Sequence, residues 1–221
     1  MKIALLSDIH GNLPALEAVL NDLPTVDLVV CAGDVVGYNP WPGECVDRIR
    51  TIADVVVQGN HDEAVEKPSA FDANEMAREA IEFTAEKLSP DQKQWLHDLP
   101  ESDTIADASF LVVHSHPKIC GKYVLPSEFP NLPRYLDDYQ GLVLGHTHLQ
   151  HSTEIDNKII VNPGSVGQPR DSDSRAAYAV LDTVKQDVDC RRVEYPIDRV
   201  IERIEEVGLP KELGSRLREG R

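Results

Sequence analysis

Five short apolar runs in this 221-residue chain each stop at side chains able to hold a metal: KIALLSDIH, DLVVCAGD, DVVVQGNHD, SFLVVHSH and GLVLGHTH. Each has the length and composition of a buried strand, and four have glycine at the junction. Strands that end together deliver these side chains to one edge of a sheet, where open α/β folds place their sites. The feature points to a metal centre and to metal-assisted hydrolysis.

The first half alternates strand and helix. A strand at 2–7 leads to Asn12 and Pro14, a cap and an early proline ahead of Leu16, Val19 and Leu20. Strands at 27–31 and 54–57 flank a loop, GYNPWPG, and a helix to about Ile52. This rhythm predicts a parallel sheet. Helical spacing follows over 72–88, and Ser89-Pro90-Asp91-Gln92 is a capping box opening a helix to about Leu99. From 103 strands dominate: 103–106, 109–113, 142–145, 151–155, 158–161, 176–181 and 187–195, with a hairpin turn at Asp156-Asn157. The expectation is one domain over 1–221. A helical insertion covers about 64–101 and a C-terminal helix about 198–221, whose glycine- and charge-rich end, 208–221, is expected to fray or pack loosely.

The formal charge is −16, from 38 acidic and 22 basic residues. Such a surface repels nucleic-acid phosphates and anionic membranes, so neither a polymeric nucleic acid nor a membrane is expected as partner. A small anionic substrate is compatible if cations sit where its phosphate must go. The four cysteines form no C-x-x-C pair, which argues against a disulfide framework or a thiolate zinc site. The apolar stretch after Lys2 ends at Leu6, too short for a signal peptide, so the cytoplasm is the expected location. A homo-oligomer is left open.

Asp8 and His10 are two apart, which on an extended backbone points both side chains the same way. Asp34 is a carboxylate able to bridge two cations. Asn60 offers a hard amide oxygen; His61, pointing elsewhere, would face substrate, and Asp62 would orient its ring. His114 ends its strand in phase with the other endings, whereas His116 reads as a rim residue. His146 and His148 share a face, and imidazole suits first-row divalent metals. Seven ligands exceed what one ion can use, but two ions sharing Asp34 use all of them at four each. Mixed nitrogen and oxygen donors suit manganese, iron, zinc, nickel or cobalt, with manganese favoured. Tyr38, Trp41 and Arg170 are candidate substrate contacts at the rim; packing and surface pairing are their alternatives.

The order D-x-H, GD, GNHD, H and GH-x-H resembles the calcineurin-like metallophosphoesterase superfamily, over roughly residues 3–181. GDVVGYNPWP and NPGSVGQPRDSDSRAAYAVLD are similar to its compact prokaryotic and archaeal phosphodiesterase branch. Ser115 departs from the glycine that often follows the ligand histidine there. The resemblance implies a four-layer αββα sandwich of two mixed β-sheets flanked by helices. It assigns Asp8, His10, Asp34 and His148 to a first metal, and Asp34, Asn60, His114 and His146 to a second, with His61 as substrate-facing acid. The expected activity is hydrolysis of phosphodiester bonds in a small phosphorylated substrate by a metal-bridging hydroxide. Alternatives on the same fold are a phosphomonoesterase or phosphoprotein phosphatase, and a non-catalytic metal-binding scaffold. Scaffolds tend to lose the histidine of D-x-H or GNH, and both are present here.

Overall fold

The computed structural model describes residues 1–71, 74–107 and 109–221. Two five-stranded mixed sheets stack face to face. In the first, β1 (Lys2–Leu6), β2 (Leu28–Cys31) and β3 (Val55–Val56) run parallel. The antiparallel β9 (Ala176–Asp182) and β10 (Asp187–Val193) complete that sheet beyond β1. In the second sheet, β5 (Phe110–Val113), β6 (Gly141–Val143) and β8 (Lys158–Asn162) are parallel. The antiparallel β4 (Ser102–Ile105) and β7 (His151–Ile155) form its edges.

Alternating side chains of these strands meet between the sheets. Ile3, Leu5, Val30, Val112, Val143 and Val161 form a fully buried layer. Strands buried on both faces read as continuous apolar runs, which is why the sequence marked them so clearly. The outer face of the first sheet is covered by α-helices. α1 (Leu13–Asp22) is capped by Asn12, whose Oδ1 accepts from the Ala15 N–H at 3.2 Å. α2 (Pro42–Ile52) follows the GYNPWPG loop. The expected hairpin turns on Asp156 and Asn157, both at positive φ (+52° and +57°) as a type I′ turn demands.

GNHD is more than a turn: α3 (Asn60–Ala64) starts within it, three residues separating it from β3. Of the helical reading that began at 72, residues 72 and 73 lie outside the described residues, and α4 runs Glu75–Lys87. α5 (Pro90–His97) carries the expected capping box: Ser89 Oγ accepts from Gln92 N–H and Gln92 Oε1 accepts from Ser89 N–H. On the outer face of the second sheet the fourth layer is thin. Single 3-10 turns at Pro126–Asn131 and Pro133–Tyr135 lay Phe129, Leu132 and Leu136 over Leu142, Leu144 and Ile160.

The C-terminal segment corrects two expectations. It is two helices, α6 (Ile197–Glu206) and α7 (Lys211–Glu219), broken at Gly208 (φ +79°) and Pro210. It does not fray: Leu213 and Leu217, one turn apart, are fully buried alongside Val200 and Ile204 of α6. Among the described residues no helix is long and apolar enough to cross a membrane.

Candidate metal centre

The parallel strands β1, β2, β3, β5 and β6 all point their C-terminal ends at one place, the seam between the two sheets. The chain leaves them by curling rather than by extending. Asp8, His10, Asp34, His146 and His148 all have left-handed backbone, with φ between +49° and +69°. Asp and His tolerate this region better than most residues, and such strain clusters at functional sites. Asp8 and His10 therefore share a face because each sits in a left-handed turn, not because the strand continues.

Three groups of donor atoms result, each within 4.8 Å: Asp8, His10 and His148; His10, Asp34 and His61; Asp34, His114 and His146. All these side chains are at most 7% exposed. Asp34 joins the groups. Its Oδ2 lies 3.6 Å from His10 Nε2 and 3.3 Å from His114 Nε2, while Oδ1 accepts from the His61 N–H at 2.8 Å.

The tautomers follow from the carbonyls around the rings. A carbonyl only accepts, so the ring nitrogen facing it must carry the proton. His10 Nδ1 faces Val36 O at 3.1 Å, His114 Nδ1 faces Ala32 O at 2.8 Å, and His148 Nδ1 faces Gln168 O at 2.5 Å. His10 and His148, neutral, then turn bare Nε2 lone pairs into the centre, and His114 does so once it sheds the proton that Asp34 holds on it. His10 Nε2 and His148 Nε2 stand 3.0 Å apart, lone pair against lone pair, with Asp8 Oδ1 3.3 Å from His148 Nε2. Once deprotonated, His114 would likewise set its Nε2 lone pair 3.1 Å from the Asn60 Oδ1 acceptor. Acceptors buried against acceptors are repulsive unless a cation lies among them. His146 is reversed: its Nε2 faces Gly121 O at 3.1 Å, which leaves Nδ1 as the free nitrogen. This donor set of imidazole, carboxylate and amide oxygen fits first-row divalent ions.

The charges tell the same story. Against the penalty of burial, His148 and His114 hold the Asp8 carboxyl well below the usual carboxylate range. Asp34 is likewise held low despite burial, by His114 and His61. Burial alone would lower His114, but Asp34 outweighs it and raises that ring to about 10. Burial pushes His10, His146 and His148 down. One ring thus keeps a proton at pH 7 and its neighbours stay neutral, as like charges in one site require. A metal ligand must shed its proton. Divalent-ion uptake near pH 7 is therefore expected to release about one proton, with affinity rising about tenfold per pH unit below His114's value. Titration calorimetry in buffers of different ionisation enthalpy reads this directly; no buffer dependence would refute it.

Asp62 is placed differently from the sequence reading. Its carboxylate does not orient the His61 ring. Oδ1 accepts from Val35 and Val36 N–H, and Oδ2 from Asp34 N–H and Gly59 N–H, at 2.8–3.2 Å. It is a buried clamp between the loops after β2 and β3, one step removed from the chemistry. Gly59 is needed for the same close approach: a Cβ there would overlap the Asp34 carboxylate and backbone N. Gly59→Ala is expected to lower stability by about 1–3 kcal/mol and to weaken metal uptake. Thermal melting and metal titration check this; wild-type values in both would refute it.

His116 stays out of the centre. Its Nδ1 accepts from Lys118 N–H at 3.1 Å and its ring meets Tyr135 edge-on. Tyr38 is buried, its ring centroid 4.7 Å from that of His10 and 4.5 Å from that of His61. Arg170 lies over Tyr38 at 5.7 Å. Trp41 packs against the core at the start of α2, which is the anchoring alternative. Sequence reasoning missed the supports. Ser7 Oγ donates to Asp8 Oδ2 at 2.7 Å, Ser165 Oγ to Asp8 O at 2.6 Å, and Tyr123 stacks on His146 at 4.2 Å. Ser165 and Gln168 lie within the NPGSVGQP run, whose density of turn residues was the available signal. A cavity of about 360 Å³ opens beside Asn60 and His114, walled by Glu63, His116 and Lys118. That is room for a small ligand.

Known proteins are similar to this chain. An uncharacterized protein of Methanocaldococcus jannaschii is 36% identical, the match covering 99% of this chain and 98% of its own. The phosphodiesterase YfcE of Escherichia coli is 28% identical over 82% of this chain and 88% of its own. The crystal structure of a metallophosphoesterase from Sphaerobacter thermophilus superposes with a TM-score of 0.88 at 35% identity, covering both chains entirely. The model of the calcineurin-like phosphoesterase superfamily domain matches residues 1–186, which take in every strand that ends at the centre, and the chain belongs to that superfamily.

Proposed function

We propose that this chain is a dinuclear-metal-dependent phosphodiesterase acting on a small phosphorylated substrate. The observation that carries the reading is Asp34, one carboxylate shared between two sets of converging donors. Asp8, His10, Asp34 and His148 would hold one divalent ion, and Asp34, Asn60, His114 and His146 the other. The likeness to a phosphodiesterase of Escherichia coli supports the diester preference. A sulfur-free set of imidazole, carboxylate and amide donors suits manganese, iron, zinc, nickel or cobalt, and availability decides among them, with manganese favoured.

When bound, such a pair of ions supplies Lewis acidity at the phosphoryl oxygens and a water-derived nucleophile near neutral pH. The chain's own residues do the rest. The carbonyls of Val36, Ala32 and Gln168 fix which nitrogen each ligand ring presents. Ser7 and the His146 N–H hold the Asp8 carboxylate in place. His61, packed on Tyr38 and Phe71, offers a ring N–H toward a phosphoryl or departing oxygen. Cys31 and Cys45 are buried and burial pushes both thiols up, which suits neither as a nucleophile.

The test is hydrolysis of bis(p-nitrophenyl) phosphate and p-nitrophenyl phosphate, with elemental analysis of the same sample. Expected are about two divalent ions per chain, turnover of the diester above the monoester, loss on chelation and recovery with manganese. A single ion in fully active protein, or turnover that survives exhaustive chelation, overturns the dinuclear reading. Exclusive monoester turnover replaces it with a phosphatase.

A further inference from the structure

The four ligand histidines are each aimed by a backbone carbonyl, but the carbonyls are not held alike. Three belong to residues with no exposed surface: Ala32, Val36 and Gln168. The fourth, which faces His146, belongs to Gly121, an exposed residue between exposed Cys120 and partly buried Lys122. Among the described residues, nothing stands within 4 Å of where a Cβ on Gly121 would lie, so packing does not hold this carbonyl. Yet His146 completes the donor group of Asp34 and His114 and needs its carbonyl as much as the other rings do.

Ser115 supplies the missing restraint. Its Oγ accepts from the Gly121 N–H at 2.9 Å, and the Gly121 C=O accepts from His146 Nε2–H at 3.1 Å. The left-handed backbone of Gly121 (φ +71°) turns these two groups to their separate partners. Ser115 itself follows His114 directly at the end of β5 and is buried, so the sheet, not the loop, places its hydroxyl. A hydrogen-bonded chain thus runs from the end of β5 through an exposed loop to the ring that follows β6. Within the loop, Ile119 N–H donates to His116 O and Lys122 N–H to Ile119 O, both at 3.2 Å. Tyr123 then lays its ring on His146, with centroids 4.2 Å apart and planes 23° apart.

A neutral imidazole can carry its proton on either nitrogen, and the acceptor beside one of them decides which. Burial keeps His146 toward the neutral form. With Gly121 O in place the proton stays on Nε2 and Nδ1 presents a lone pair. If that carbonyl swings away, the proton is free to move to Nδ1, where an ion would have to sit. Partners of this kind, one step behind a ligand, are worth about tenfold to a hundredfold in metal affinity.

We propose that Ser115 is a positioning residue for the second divalent ion: its hydroxyl, acting through Gly121, fixes the tautomer and aim of His146. This rests on the two-ion reading of the centre and is independent of which ester is cleaved.

The test pairs two measurements on metal-free protein: calorimetric titration with manganese, and two-bond ¹H–¹⁵N spectra that read which ring nitrogen bears the proton. Wild type is expected to hold the His146 proton on Nε2. In Ser115→Ala a population protonated on Nδ1 should appear, and one ion should bind about tenfold to a hundredfold more weakly while the other is unchanged. Ser115→Thr keeps the hydroxyl and should restore both readouts. Ser115→Cys keeps the shape with a weak acceptor and should show the loss even if alanine disturbs the loop. Ser102→Ala removes a hydroxyl from the wall of the same cavity and should change neither readout. Wild-type ion binding in Ser115→Ala, an equal loss of both ions, a proton that stays on Nε2, or a defect that Ser115→Thr does not relieve overturns the proposal. The outcome is separable from the proposed function. A wild type that binds one ion would sink the dinuclear reading, while the spectra would still judge the link from Ser115 to His146; inert p-nitrophenyl esters would sink the hydrolase and touch neither measurement.

Discussion

Asp34→Asn is expected to leave a folded protein whose turnover has fallen on the order of a thousandfold or more. Each oxygen of this carboxylate has a task. Oδ1 accepts the backbone N–H of His61, and an amide oxygen can do the same. Oδ2 faces Nε2 of His10 and of His114, and there an amide would present an NH₂ group. That group donates to ring lone pairs instead of joining them around a cation. The substitution removes one negative charge from a site that also holds Asp8 and Asp62. It also gives up the pairing with His114 that holds the carboxyl low and the ring high, so the metal-free variant should melt below metal-free wild type at pH 7 yet still cooperatively, while its bound metal falls from about two ions per chain to one or none. Melting in excess chelator, elemental analysis after loading, and kcat on a phosphodiester together isolate the effect. Wild-type metal content with wild-type kcat would remove Asp34 from the role of shared ligand.

What the sequence made legible was whatever depends on side-chain type at a strand end. Runs such as IALL and LVVC are apolar because both faces of their strands are buried, and the abrupt switch to Asp8 or Asp34 marks where burial gives way to the seam. The supports were invisible for a physical reason. Val36, Ala32 and Gln168 fix three ligand rings through backbone carbonyls, which every residue possesses. Asp62 was misjudged because its neighbour in sequence is His61, whereas its partners are four backbone N–H groups, three of them on a loop twenty-six or more residues earlier. The common face of Asp8 and His10 was foreseen with the wrong backbone: left-handed turns achieve it, and nothing in a two-residue spacing separates the two cases. The C-terminal segment looked loose because Lys, Glu and Arg outnumber its apolar residues. Only Leu213 and Leu217, set one turn apart with Gly214 closing on Ile201, reveal the buried face.

His61→Ala is expected to keep both metals and lose about a hundredfold to ten-thousandfold in turnover. Burial pushes this ring down to about 4, so at pH 7 it is neutral despite Asp34 nearby. A neutral imidazole is a poor reservoir of protons but a good hydrogen-bond donor, which favours a role in holding a phosphoryl oxygen over delivery of a full proton. The ring is placed by packing: Tyr38 and Phe71 lie 4.5 Å from its centroid and His10 lies at 4.8 Å, while its buried Nδ1 has no partner. Removing it disturbs neither the carbonyl contacts that set the ligand rings nor the backbone N–H that Asp34 accepts. The two roles separate in one further variant. If the ring works as a donor, His61→Gln restores part of the lost rate, because an amide N–H can replace an imidazole N–H. If it works as a proton source, His61→Gln is as slow as His61→Ala, since an amide does not titrate. A drop to one ion per chain in His61→Ala would instead make His61 a ligand, an outcome its place within 4.8 Å of the His10 and Asp34 donor atoms makes a fair contest.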